Sequence, residues 1–306
     1  MISFFAEVLI TAIAVPLCLV GLFGNISVLW ATATDHQLHR KICYIVAVIA
    51  SLHLICLLNE LYLEAAQLRF HAVTRSECFR QTCLYIFAMV AQSVMFFMMA
   101  VDYLLAVSMP LKHHLLSSVP YVFYMCIPSF LLASFTVATS VFFMNDDPLD
   151  FCTPIQALPQ NAEWLTSVVN VLNIGVLIVH LSVIALLGTS RRNRKALTPR
   201  GQQESADTRS LTSEDTKMMK SFTMLVTVFV CSWCFSTIIT HIALKYLPSG
   251  LSLAVQTYTV ILALPTYCQC YFVSYILSPR HRSAYRKQQR ILFPCLFRTS
   301  ERNDPT

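Results

Sequence analysis

Residues 83–107 read CLYIFAMVAQSVMFFMMAVDYLLAV, a stretch with no lysine or arginine and a single acid, Asp102, near its end. A helix of about 20 residues rising 1.5 Å each already crosses a hydrocarbon core ~30 Å thick. This stretch is long enough to do so. Six more share its character, at about 5–31, 42–66, 121–144, 165–189, 221–244 and 251–277. All 22 Lys and Arg residues fall outside the seven segments, in the connectors and the C-terminal tail. The chain therefore reads as an all-α membrane protein, a bundle of seven transmembrane helices.

Composition points the same way. Hydrophobic residues make up 56% of the chain and charged residues 12%, against roughly a quarter charged in a soluble domain. The net charge of +6 first suggests nucleic acid, but the basic residues hug the ends of apolar spans, so the expected partner is membrane lipid and not nucleic acid. The N-terminus has no basic n-region and its apolar run is long enough to stay in the bilayer, so no cleavable signal is expected. One domain is expected over 1–292, with a tail at 293–306. No internal repeat stands out, which weakens a transporter reading. Phosphate loops, glycine-rich turns and nucleophile elbows are absent from a chain with six glycines, so neither enzyme activity nor a cofactor is expected.

Orientation follows from the basic residues. The loops after spans one, three and five and the C-terminal tail carry 18 of the 22, and the other loops carry four. By the positive-inside rule the N-terminus lies outside and the tail in the cytoplasm.

The sharpest motif closes the third span. Val101-Asp102-Tyr103-Leu104-Leu105-Ala106-Val107 runs into Ser108-Met109-Pro110-Leu111-Lys112-His113. This resembles the cytoplasmic end of helix three in rhodopsin-like G-protein-coupled receptors, where Asp-Arg-Tyr precedes an apolar turn and Pro-Leu. Cys78 stands 24 residues before Asp102, the family's spacing for the helix-three cysteine. The resemblance implies a disulfide from Cys78 to Cys152, the one cysteine of the loop after span four, with Cys83 as competitor. Gly24-Asn25 matches the family's Gly-Asn; the Asn25-Ile26-Ser27 sequon lies within the membrane and is discounted. Phe229 and Trp233 resemble the Phe…Trp activation core, and Tyr271–Tyr275 takes the place of Asn-Pro-x-x-Tyr, keeping only the final tyrosine. The run from His281 to Arg286 looks like the start of an amphipathic eighth helix, expected over 279–292. In it Arg280, Arg282, Arg286, Lys287 and Arg290 would meet headgroups, while Ala284, Tyr285, Ile291 and Leu292 face the acyl boundary. Cys295 is then placed for palmitoylation.

The departures are informative. Tyr103 replaces the arginine of Asp-Arg-Tyr, and Ser51 or His53 stands near the usual helix-two acid. Span four lacks tryptophan, span five lacks proline, and Phe235 stands where a proline is expected. Such loose matching in a Cys- and Phe-rich core is similar to the nematode serpentine chemoreceptor families. The resemblance implies a plasma-membrane chemosensory receptor, in a sensory cilium, that signals to a heterotrimeric G protein. Asp102, Tyr103, Phe229, Trp233 and Tyr275 would carry activation and coupling, together with the basic loop 191–220. The runner-up is a transporter or channel, disfavoured by the near absence of mid-membrane charge.

Ligand chemistry can be narrowed. The last span has no lysine for a retinal Schiff base, and Tyr85 stands where the family's amine receptors carry an acid. A pocket lined by Tyr85, Met89, Thr237, Thr240, His241 and Tyr258 would be mostly apolar with a few hydrogen-bonding groups, which suits a small, weakly polar ligand; the alternative is that these residues only pack helices. Glu60 and Glu64, at i, i+4, share a face of helix two and either anchor its outer end in the headgroups or line a ligand entrance. Cys231-x-x-Cys234 has zinc-pair spacing but no second pair, and His53, His180 and His241 lie on separate spans. No metal is expected.

Overall fold

The computed structural model describes residues 4–67, 73–149, 152–159, 163–197, 220–221, 223–292 and 294. Its helices are α1 (Phe4–Thr34), α2 (Lys41–Gln67), α3 (Arg75–Ser108), a short α4 (Pro110–Leu115) and α5 (Ser118–Phe142). They continue with α6 (Glu163–Leu197), α7 (223–246), α8 (Ser249–Leu277) and α9 (Pro279–Leu292). Among the described residues, seven helices are long and apolar enough to cross a membrane. The protein is a multi-pass, seven-helix membrane bundle with a further helix after the last span.

Helix α3 is the central post, packed against α2, α5 and α6, while α1 lies against α2 and α8, and α7 packs on α8. Large side chains at the centre, including Phe96, Phe229, Met95, Met99 and Tyr267, are fully buried. Phe123, Leu131, Phe142, Val171 and Ile178 of α5 and α6 are exposed, as expected of faces whose solvent is lipid. Close approach of α1 to α8 needs glycine: a Cβ on Gly24 would lie 2.8 Å from the Cβ of Tyr271.

Three elements differ from expectation. Helix α3 begins at Arg75, two turns before the apolar segment, because Thr74 and Glu77 form a capping box there. Its start is also stitched to the following loop: β1 (Val73–Thr74) pairs antiparallel with β2 (Pro148–Leu149). The backbone N–H of Arg75 donates to Asp147 O at 2.9 Å. Helix α6 runs to Leu197, past the apolar limit and over the basic run that starts at Arg191. Helix α7 contains a π turn at Val230–Cys234, in the place of the missing proline; like proline, a π bulge interrupts the regular ladder.

The helix at 279–292 forms, but Ala284 and Tyr285 are buried against the bundle and not turned to lipid, whereas Ile291 and Leu292 are exposed. Cys295 and residues 198–219 of the basic loop lie outside the described residues.

Candidate functional site

At the end of the bundle where α3 meets α4, Asp102 is buried and fully engaged. Its Oδ1 accepts from Tyr121 Oη at 2.5 Å and from His113 Nε2 at 2.7 Å. Lys41 donates to the His113 carbonyl and holds its ammonium 5.2 Å from the Tyr121 ring centroid. With tyrosine at 103, Asp102 has turned to α4 and α5, so it fastens three helix ends together. Tyr103 beside it is also buried.

The same end carries an aromatic junction between α8 and α9. Tyr271 lies 4.7 Å from Tyr285 and 5.9 Å from Tyr275, ring to ring, and His281 lies 5.9 Å from Tyr285. Arg282 donates from Nε to the Tyr275 carbonyl at 3.0 Å, and Gln289 to the Tyr271 hydroxyl at 3.0 Å. Burial pushes the His281 imidazole down to about 4, partly opposed by Asp35. A cavity opens here between the α1–α2 link, α7 and the α8–α9 corner, with Leu38, Cys43, Leu225, Arg280 and His281 among its lining.

Midway through the bundle, Phe229 stacks on Phe96 at 4.0 Å and Trp233 lies 5.8 Å from Tyr267. Tyr267 is the hub. Its hydroxyl is 3.0 Å from that of Tyr85, its carbonyl accepts from Asn25 Nδ2 at 2.7 Å, and its ring is 5.5 Å from His53. Of the two candidates for the helix-two position, His53 faces this hub and Ser51 is exposed. Glu60 is buried beside Tyr85, so its carboxyl faces the bundle; Glu64 accepts from Thr11 Oγ1 at 2.6 Å.

At the opposite end, Cys78 and Cys152 are disulfide-bonded and Cys83 is free. The bond ties the loop segment 152–159 to the start of α3. Arg75 adds charge-assisted support, donating from Nη1 to the carbonyls of Gln156 at 3.0 Å and Leu158 at 2.8 Å. Under that loop, Met89, Thr237, Thr240 and His241 come together with Ile86, Val90, Thr136, Ile155, Leu158, Val169 and Asn170 around a cavity. Two expected residues do not line it. Tyr85 turns toward α2 and α8 to reach Tyr267, and Tyr258 is 46% exposed on the outside of α8. Most polar groups here already have partners: Thr237 Oγ1 accepts from Asn173 at 3.3 Å and Thr240 Oγ1 is 3.0 Å from Thr259 Oγ1. Asn173 Oδ1, buried next to the cavity, has none.

The sequence model of the serpentine type 7TM GPCR chemoreceptor family Srsx matches residues 18–289. The chain belongs to this family. Among curated proteins, none matches it significantly.

The receptor frame explains what the residue pattern missed. Tyr267, Tyr121 and His113 carry no motif of their own; each matters because the helix packing aims it at Asp102 or at the hub. Phe229 and Trp233 belong to the ring cluster at the centre of the bundle, and Tyr275 belongs to the separate aromatic junction with α9. Among the described residues no cluster of three His, Cys, Asp or Glu is placed to hold a metal. Cys231 is exposed while Cys234 is buried.

Proposed function

We propose that this receptor binds a small, weakly polar ligand in the cavity between Met89, Thr136, Asn170, Thr237, Thr240 and His241, and passes the signal along α7 to a heterotrimeric G protein. The observation that supports this best is the continuity of α7. Thr237, Thr240 and His241 line the cavity, Trp233 and Phe229 follow within three turns through the π turn, and Leu225 borders the cavity at the other end. A ligand that changes how α7 sits against α3 therefore moves both ends of one element, and a π turn is a common site for such rearrangement.

In this reading the disulfide end faces outside and the α9 end the cytoplasm, since 18 of the 22 basic residues lie at the latter. Asp102, Tyr103, the basic loop 191–220 and α9 form the coupling face, and palmitoylation of Cys295 adds a lipid anchor. The sensory cilium of a chemosensory cell is the fitting location.

The test is a screen of small odorant-like compounds in a heterologous cell, reading G-protein activation together with membrane current and uptake. Activation that is lost on filling the cavity with Thr237→Trp supports the proposal. Current or uptake without G-protein activation would favour a channel or transporter instead.

A further inference from the structure

The cavity beside Ile155 and Leu158 has two unlike walls, one on the disulfide side and one toward lipid. Its roof is Ile155 and Leu158. Leu158 is held by Arg75 through its carbonyl, and the loop is held by the Cys78–Cys152 bond. Ala157 between them is fully buried, packed with Phe79 and Ile86. Its side wall is different. Thr136 comes from α5, and Val169 and Asn170 come from α6, yet α5 and α6 each pack along α3 and hardly against one another. One ring contact spans the slot between them: Phe135 and Trp164 meet at 6.0 Å in a tilted pair, and both are exposed on the lipid-facing surface. Phe135 precedes the cavity-lining Thr136, and it stands seven residues from the end of α5, about 10 Å along the helix axis. Phe135 thus lies inside its span on the disulfide side, and Trp164, three residues ahead of the apolar span of α6, meets it at the edge of the bilayer.

We infer that ligands reach this cavity sideways, out of the bilayer, through the α5–α6 slot with Phe135 and Trp164 as its gate, and hence that the ligand is a membrane-partitioning compound with one hydrogen-bonding group. The inference rests on the ligand-binding reading above and specifies its chemistry. An apolar wall reached from lipid selects molecules already concentrated there. The few polar groups inside, Asn170, Thr237, Thr240 and His241, provide orientation. A charged or strongly hydrated molecule is kept off this route by the hydrocarbon.

The experiment uses the full chain in lipid nanodiscs, with two photoactivatable probes. One is a diazirine-bearing octanol, which dissolves in the bilayer. The other is a diazirine-bearing alkylsulfonate of the same length added to the water. Adducts are mapped by mass spectrometry after light flashes at increasing delay. The expected result is that the octanol modifies Met89 and Val169 while the sulfonate spares them. In Phe135→Ala/Trp164→Ala, which changes only exposed side chains, the octanol adducts form about fivefold faster, the factor a ring pair of this kind is worth. Labelling of the cavity by the sulfonate at the octanol's rate would overturn lateral access, and so would octanol labelling at one rate in both proteins. No cavity labelling by either probe would overturn the ligand class. If the double variant does not fold, the contrast between the two probes on the unaltered receptor still decides. G-protein activation by a water-borne compound would leave the receptor reading standing while this inference fails.

Discussion

The α1–α2–α8–α9 side of the bundle and the α5–α6 side are built by different means. On the first, polar side chains bridge between helices. Asn25 Nδ2 donates to the carbonyls of Gly21 and Tyr267, Gln288 Nε2 donates to that of Ser27 at 3.3 Å, and Arg282 ties α9 to the end of α8. On the second, hydroxyls bond back along their own helix. Thr136 donates to Leu132 O, Thr139 to Phe135 O and Ser182 to Ile178 O. In lipid no hydrophobic drive pulls one apolar helix onto another, so close packing and inter-helix hydrogen bonds decide which contacts hold. The first side has both and works as a fixed frame. The second rests on α3 through side-chain packing and on the disulfide-held loop, and it borders the cavity proposed to take the ligand. A receptor needs both kinds of half, one to keep its shape and one to change it.

The largest expected effect comes from removing the covalent tie on the yielding side. Cys152→Ser should cost about 2–5 kcal/mol, the usual range for a native disulfide, and abolish most surface expression. Mass mapping of non-reduced peptides should find the 78–152 pair in the unaltered protein; free thiols at both positions would remove the basis for a fixed roof. A glycine pair tests the frame directly. Gly24→Ala pushes a methyl onto the Tyr271 Cβ at 2.8 Å and should destabilise by about 1–3 kcal/mol. In Gly175→Ala of α6 the nearest atom is the Phe97 ring edge at 3.1 Å. The ring can yield, and alanine gains up to about 1 kcal/mol of helix propensity, so thermal stability in detergent should change little. Equal losses at the two glycines would erase the contrast.

Smaller effects sharpen it. Asn25→Ala should cost roughly 0.6–1.7 kcal/mol, the measured span for side-chain hydrogen bonds in membranes, read as a lowered melting temperature. Asp102→Ala releases Tyr121 and His113 and should alter basal and evoked G-protein signalling while surface expression stays intact; a change in expression alone would make Asp102 structural. The mildest test is pH. His281 titrates near 4 when docked and near 6.5 when released. The released state therefore binds more protons below about 6.5, and docking of α9 weakens as pH falls from about 6.5 toward 4, with full strength above that window. Its neighbours act within this window as stated: Ser278 accepts or donates at Nδ1, Tyr285 packs on the ring, and Asp35 opposes the shift. Protection factors over 279–292, taken relative to the intrinsic exchange rate at each pH, should fall between pH 7.5 and 5.5 in the unaltered receptor and not in His281→Gln.

Much of the architecture was legible because a bilayer forbids most alternatives. Lys and Arg confined between apolar runs mark helix ends, and Pro279 ahead of five basic residues marks the surface helix. The candidate site was legible only where position along a helix is enough. Met89, Thr237, Thr240 and His241 fall at one depth on α3 and α7 and do meet around a cavity. Tyr85 and Tyr258 share that depth, but rotation about the helix axis turns one to the Tyr267 hub and the other outward to lipid. Glu60 was ambiguous for the same reason, since periodicity shows which residues share a face and not what that face meets. The start of α3 at Arg75 was hidden because a capping box and a two-residue strand pair outweigh the hydropathy signal there.

The sequence by itself determined the seven spans and the clustering of positive charge at one end, because these follow from the one-dimensional cost of placing charge and unpaired backbone in hydrocarbon. Only the tertiary structure decided that Asp102 holds Tyr121 and His113, that Tyr267 links α1, α2, α3 and α7, and that α5 and α6 leave a slot beside the cavity. Those facts depend on helix rotation and neighbour choice. Several rotations bury similar apolar area, and the selection among them is made by a few glycines, amides and aromatic rings whose partners lie as far as 261 residues away along the chain.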